Sequence, residues 1–517
     1  MDRSLLDHML NPARYPEPTA TVQHLQTHIS HLFLTDRYVY KVKKAVNFGF
    51  LDFTTLEKRR FYCHEELRLN RRLSPEIYLE VVALYRDAEG LLSFQADGTP
   101  VEYAVKMLRM PEERMLSHLL EQGRVTETDI ADIAAKVAGF HAAAAHGNGI
   151  SLFGTVEAIR SNWLENLRQT VPYCGRTLSE RDHGLIGEWA LQRLEQRGEL
   201  FQKRLQNGFI RECHGDLHAE NICLDGQVHI FDCIEFNEKF RYGDTAADVA
   251  FLAMDLANHG RQDLALSFIG HYQAASGDAT LQQVLPLYLA NRAFIRGKVE
   301  SFRLDDAMIS SDEKQAACGR AQRFFRLARG YVLREQLPRQ LFLTCGPTGC
   351  GKTAVAEELA FQLGLQYLSS DLERKRLAGV TPTERNSTIY SPDWNRATYD
   401  RLLEAAREQL ISGAGVIVDA TFRVRAERER FVRLAAESGV VPVILQLQCP
   451  ETVVRQRLEQ RQALGNSVSD GTWLVYQQQM ERFEQPGGDE ALLVPLDATM
   501  QPEAMVEQLL GMLHSQI

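Results

Sequence analysis

The sequence predicts a multidomain chain: an α+β portion of two lobes over the first two thirds, then an α/β portion built on a parallel sheet. Three observations carry this. Residues 22–43, VQHLQTHISHLFLTDRYVYKVK, alternate as antiparallel strands do, with a turn at Asp36-Arg37, and from about Thr126 the apolar period becomes helical. Residues 211–232, RECHGDLHAENICLDGQVHIFD, set a polar run rich in His, Asp and Asn between short apolar runs. From Gln340 onward, short apolar runs alternate with helical stretches, as a parallel sheet requires.

With 517 residues, 44% of them hydrophobic, the chain is long enough for roughly three compact units, expected at 1–110, 111–336 and 339–517. A formal net charge of −10 gives no electrostatic footprint for nucleic acid. No stretch approaches the ~20 apolar residues needed to cross a bilayer. The opening MDRSLLDHMLNPARYPEP lacks the apolar core of a signal peptide. Nine cysteines without a C-x-x-C pair read as reduced thiols in a cytoplasmic protein. Cys213, Cys223 and Cys233 flank the polar run and read as small buried side chains.

Within that run, His214-Gly215-Asp216-Leu217-His218-Ala219-Glu220-Asn221 reproduces the catalytic-loop pattern of kinases. There an Asp, here Asp216, accepts the proton of the acceptor hydroxyl, and an Asn five positions on, here Asn221, holds magnesium. A turn at Asp225-Gly226 joins two apolar runs into a β-hairpin that returns Asp232 to the same place as a second metal ligand. Phosphoryl transfer needs such a set because the β- and γ-phosphates are polyanionic and must be neutralised while a hydroxyl is held in line.

HGDLHAEN followed by IFD resembles the aminoglycoside phosphotransferase family, a branch of the protein-kinase-like fold, and FNEKFRYGDTAADVAFLAMDL extends the likeness over about residues 20–335. The resemblance implies a bilobal domain that uses ATP and Mg2+. In a kinase-like first lobe the strand Tyr38–Lys43 supplies the lysine for the α- and β-phosphates. Lys41 is favoured because it follows Val39-Tyr40, with Lys43, on the same face, as the alternative. Thr54 and Glu57 form a capping box opening a helix to about Leu73. Glu65 or Glu66 on that helix pairs with the lysine, and Glu66 is favoured. Strands follow at Tyr78–Tyr85 and Tyr103–Met107, with a hinge at Leu108–Pro111 for the adenine. Thr27-His28-Ile29-Ser30, where kinases cover the phosphates with a Gly-rich loop, contains no glycine.

In the helical lobe, Thr126 with Asp129 caps a helix through Ala145, and its His141 reads as a hydrogen-bonded structural residue. Asn148-Gly149 breaks the chain before further helices, among them a long one at Ser179–Gln206. Asp244 and Asp248 resemble family positions that brace the catalytic loop, with Glu235 near the metal. The amphipathic stretch LYLANRAFIRGKVESFR, residues 287–303, brings Arg292, Arg296 and Arg303 or Lys298 near one face, either as a solvated basic stripe or as a wall of the acceptor pocket. Aminoglycosides are polycations, for which carboxylates would be the complement. A cationic wall instead suits an anionic hydroxyl-bearing acceptor such as a sugar phosphate, a nucleotide or an acidic metabolite.

After Pro338, Gln340–Cys345 reads as a buried strand, and Gly346-Pro347-Thr348-Gly349-Cys350-Gly351-Lys352-Thr353 fits G-x-x-x-x-G-K-[ST] in full, opening a helix to about Leu363. Its glycines let backbone N–H groups wrap phosphate, Lys352 neutralises it and Thr353 coordinates magnesium. Further strands are expected at Leu365–Ser369, Gly415–Asp419, Val441–Gln448 and Leu492–Leu496, with a closing helix at Pro502–His514. SSDLERKRL, VIVDATF and ETVVRQRLEQR resemble small P-loop kinases of the gluconate-kinase, polynucleotide-kinase and zeta-toxin type over about residues 339–517. That likeness implies Asp371 as activator of an acceptor hydroxyl, Arg374 as substrate-orienting, and Asp419 on magnesium directly or through water. Arg457 and Arg461, one helical turn apart, take the place of lid arginines over the transferring phosphoryl, with Arg455 competing.

The expected protein therefore has two ATP sites, each transferring a phosphoryl group to a hydroxyl of a small molecule. The rival class is a regulatory ATP-binding protein in which one half only senses or hydrolyses nucleotide. Candidate bases in both halves, Asp216 and Asp371, favour the enzyme.

Overall fold

Six strands form an antiparallel sheet in the order β1-β2-β3-β6-β4-β5: β1 Gln23–Gln26, β2 Ser30–Leu34, β3 Tyr38–Lys43, β4 Tyr78–Arg86, β5 Leu92–Ser93 and β6 Thr99–Leu108. The computed structural model describes residues 3–87, 92–95, 98–381, 384, 387–464 and 471–514. The period-2 pattern sorts β3 by face. Tyr40 and Val42 join Phe33, Leu84 and Ala104 in one apolar cluster, while Lys41 and Lys43 meet the helix Leu56–Asn70. That helix is capped by Thr55, whose hydroxyl oxygen accepts the Lys58 N–H, and not by Thr54, whose hydroxyl donates to Asp52 at 2.6 Å. It stops at Asn70, short of the expected Leu73, because residues 71–74 fold back as turns on the carbonyls of Leu67, Leu69 and Asn70.

Helices dominate the rest of this portion. The Thr126–Asp129 capping box starts Glu127–Ala143 as expected. The chain break falls at Gly147, which takes a φ of +113°, while Asn148–Ser151 is itself a turn of helix. The single helix expected at Ser179–Gln206 is two, Glu180–Gln196 and Gly198–Gln206, because Arg197 leaves helical geometry with φ −115° and ψ 18°. Two small antiparallel ladders frame the loop of residues 214–221: β7 Ile210–Glu212, β8 Ile222–Leu224, β9 Val228–Ile230 and β10 Tyr242–Asp244, pairing β7 with β10 and β8 with β9. The β8–β9 hairpin turns through Asp225-Gly226-Gln227, with Gly226 at φ +72°.

The last third is a parallel five-stranded sheet in the order β12-β13-β11-β14-β15: β11 Gln340–Cys345, β12 Gln366–Ser369, β13 Val416–Asp419, β14 Val441–Gln448 and β15 Leu492–Asp497. Leu341, Leu343, Val416, Val418 and Ile444 pack with Phe431 and Leu434 of the covering helix Arg425–Glu437. The chain divides into two units, Met1–Phe324 and Phe325–Ile517, so both kinase-like lobes fall in the first. The division lies inside the helix Ser311–Gln336. In the second unit that helix meets the helix Lys352–Leu363 so closely that a Cβ on Gly330 would lie 1.8 Å from the Gln362 carbonyl oxygen. Among the described residues no helix is long and apolar enough to cross a membrane.

Candidate functional site

In the first unit, five charged side chains meet between β3, the helix Leu56–Asn70 and the segment after β9. Lys41 Nζ lies 2.8 Å from Glu66 and 2.5 Å from Asp232. Lys43 Nζ lies 2.7 Å from the other oxygen of Glu66 and also pairs with Glu235. The two lysines left open by the sequence thus share one glutamate, while Glu65 pairs with Arg68. Burial works against both ammonium groups, but Asp232 and Glu66 at Lys41, and Glu235 and Glu66 at Lys43, hold them charged. Burial, with Glu66 beside it, pushes Glu235 above the usual carboxylate range.

The loop of residues 214–221 is held from behind. Asp248, fully buried in the helix Thr245–Asn258, accepts the N–H groups of His214 at 2.6 Å and Gly215 at 2.9 Å, and lies 3.2 Å from His141. Gly215 takes φ +88°, and a Cβ there would lie 2.7 Å from the Phe240 carbonyl oxygen, so only glycine fits. Asp244 does not brace the loop as expected. It caps the helix through the Ala246 N–H and pairs with buried Arg204. A brace the sequence reading missed is Asp255, which accepts the Ala219 N–H at 2.8 Å. The signal for it was a second carboxylate in an otherwise apolar helix, AFLAMDLA.

Asp216 keeps about a third of its side-chain surface open, at 34%, and its Oδ2 lies 3.3 Å from His218 Nε2. Burial would raise its carboxyl, but His218 and Arg296 more than reverse this and hold it below the usual carboxylate range. Asn221 donates from its amide to the Asp216 carbonyl at 3.0 Å, and its own carbonyl accepts the Phe231 N–H at 3.0 Å. Asp232 follows with a left-handed φ of +62°, its N–H donating to the Tyr78 hydroxyl at 3.1 Å. This uncommon conformation turns its carboxylate, 46% exposed, back toward Lys41. The oxygen donors of Asn221 and Asp232 suit a hard divalent cation.

Of the cationic residues on the helix Leu281–Phe302 and at its C-cap, the structure separates the roles. Arg292 donates to the Ala247 carbonyl at 3.1 Å and lies over the Phe251 ring. Lys298 bonds Asn166 and Gln169, and Arg303 pairs with Glu313. Arg296 rests on the Phe324 ring and acts on Asp216 and His218, with no carboxylate in ion-pair range among the described residues.

In the second unit the P-loop joins β11 to the helix Lys352–Leu363, with Gly349 and Gly351 at φ +81° and +96°. Lys352 Nζ donates to the Pro347 carbonyl at 2.8 Å. The Thr353 hydroxyl donates to Asp419 at 2.7 Å, which brings those two expected magnesium residues together. Asp419 also accepts the hydroxyls of Thr344 and, unforeseen, of Tyr367 at 3.0 Å. Asp371 pairs with buried Arg374 at 3.0 Å, and Arg374 also reaches Asn395 and lies over the Tyr390 ring. Arg457 lies on the P-loop, donating to the carbonyls of Cys350 and Ala498. Arg461 is partly buried one turn on, and Arg455 pairs with Glu459. Gln479, also unforeseen, accepts the Thr348 N–H at 2.7 Å.

Residues 50–287 match the model of the phosphotransferase enzyme family, and residues 341–486 match that of an AAA domain. Uncharacterized proteins of Mycobacterium tuberculosis and Mycobacterium bovis are 32% identical over 434 residues, covering 83% of this chain and 83% of theirs. Among solved structures, a gluconokinase from Sinorhizobium meliloti 1021 is 22% identical, covering 35% of this chain and 94% of its own, with a TM-score of 0.25. A choline/ethanolamine kinase family protein from Mesorhizobium loti is 12% identical, covering 64% of this chain and 99% of its own, with a TM-score of 0.38.

Proposed function

The chain belongs to the family of these mycobacterial proteins and carries a phosphotransferase-enzyme domain followed by an AAA-type P-loop domain; from that premise we propose a two-site Mg·ATP-dependent phosphotransferase acting on hydroxyls of small molecules. One convergence supports it above the rest. Lys41, Glu66 and Asp232 form a linked set, and the segment bearing Asp232 is hydrogen-bonded to Asn221, which in turn bonds Asp216.

In the first site Lys41 takes the α- and β-phosphates, and Asn221 and Asp232 hold magnesium. Magnesium, when bound, neutralises the β- and γ-phosphates. Asp216 orients the acceptor hydroxyl and receives its proton as the oxygen–phosphorus bond forms and the bond to ADP breaks. Its lowered affinity for protons keeps it ionised and ready as the acceptor of that proton. In the second site Lys352 and Thr353 hold phosphate and magnesium with Asp419. Asp371 is the base and Arg374 orients the acceptor. Arg457 fixes the P-loop, which leaves Arg461 for the transferring phosphoryl.

The acceptor of the first site is anionic in this proposal. Arg296 supports it: a partly buried guanidinium beside Asp216 without a carboxylate partner among the described residues is set up for a charge-assisted contact with a ligand. The test is phosphate-transfer profiling of a metabolite library with the full-length protein. Asp216→Asn is expected to lower first-site transfer by ~10²–10⁴ while ATP affinity holds, the scale of a lost general base. First-site turnover untouched by Asp216→Asn would end the kinase reading of this loop.

A further inference from the structure

The helices Glu451–Leu464 and Trp473–Met480 share a small core of Val454, Leu458 and Tyr476, with Trp473 stacked on Tyr476 at 4.9 Å between ring centroids. This helical pair bears on the P-loop at two points. A Cβ on Gly349 would lie 2.9 Å from Leu458, and one on Gly471 would lie 2.0 Å from the Thr348 hydroxyl oxygen. Glycine at 349 and 471 is thus what allows the contact. From the second helix Gln479 reaches the loop, and its Oε1 accepts the Thr348 N–H at 2.7 Å.

A P-loop grips phosphate through its backbone N–H groups and its lysine. Here Thr348 N–H is taken by Gln479, and Lys352 is turned onto the Pro347 carbonyl. Resting on the reading of this loop as a nucleotide site, we propose that Gln479 belongs to that site as a stand-in for a phosphate oxygen. The terminal phosphate of the nucleotide displaces its amide oxygen from Thr348, and the residue thereby sets the affinity. The exchange favours phosphate because a hydrogen bond to an anionic oxygen is about twice as strong as one to an amide. Each binding event must still break the Gln479 bond, which costs nucleotide affinity about a factor of five, the scale of one neutral hydrogen bond.

The experiment is calorimetric titration of the full-length protein with Mg·AMPPNP, taking as the second-site component the binding that Lys352→Ala removes. Gln479 is only partly buried, and Gln479→Glu keeps its shape, so both variants retain the fold. Gln479→Ala is expected to tighten the Lys352-dependent component about fivefold. Gln479→Glu is expected to loosen it by at least about fivefold, since a carboxylate would compete harder for the N–H and repel phosphate. Unchanged or weaker binding in Gln479→Ala overturns the proposal. The absence of any Lys352-dependent component is a separate outcome that overturns the nucleotide reading itself.

Discussion

A buried carboxylate survives in the ionised form only where donors outweigh its lost hydration, and Asp248 is such a case. Burial is the largest influence on it and pushes its carboxyl up, but His141, His214 and Arg292 bring it down to about 2 from an ordinary 3.8. Because the folded value is depressed, the stabilisation is complete above pH 3.8 and is withdrawn as pH falls through about 2. That difference is worth about 2 kcal/mol at neutral pH. Asp248→Asn should therefore lower stability by about 2 kcal/mol at pH 7, with the gap to the parent closing below pH 4. Urea titrations at pH 7, 4 and 3 check this; an equal gap at all three would assign the loss to shape and not to charge. Asp248 was legible in the sequence only through the family resemblance of the run that carries it. Asp255, Tyr367 and Gln479 were missed, since no motif marked them and each meets its partner only in the folded chain.

Elements were most legible where an apolar run or period stood clear of its neighbours, as in β14 and the helix Pro502–His514, both found at the expected bounds. They were least legible where a cap or a single dihedral decides, as at Thr55 and Arg197. The helix Leu281–Phe302 shows a further limit. Helical spacing put Arg292 and Arg296 one turn apart on one face, and spacing alone assigns them one role. The structure gives them different neighbours: Arg292 props the helix that carries Asp248, and Arg296 lies over the Phe324 ring, its charge helping to hold the Asp216 carboxyl down. Arg296→Ala should raise KM for the true acceptor about tenfold or more with ATP affinity unchanged, the scale of a charge-assisted contact. Arg292→Ala should instead lower thermal stability, since it strips the donor from the Ala247 carbonyl. Steady-state kinetics and thermal melts of both variants decide, and efficient turnover of polycationic acceptors untouched by Arg296→Ala would refute an anionic acceptor.

At the scale of the whole chain, the two halves were legible because each announces itself by a contiguous motif, HGDLHAEN in one and GPTGCGKT in the other. Where one half ends is a matter of packing and carries no such signature. Pro338 breaks the backbone, yet the second unit begins at Phe325, inside the preceding helix. Within that unit Arg326 bonds Glu358 at 3.0 Å, Arg329 bonds Gln362 at 2.7 Å, and Gly330 lies against the Gln362 backbone. A fragment beginning at Arg339 would lose the helix segment that covers the face of Glu358 and Gln362, together with both arginine contacts. We propose that a fragment from Ser311 keeps the second unit whole. It should melt well above a fragment from Arg339 and bind Mg·ATP, and Lys352→Ala should abolish that binding. In the full-length protein calorimetry should then count two ATP sites, of which Lys352→Ala removes one. A single site, lost entirely in Lys352→Ala, would leave the first unit without a nucleotide and end the two-site reading.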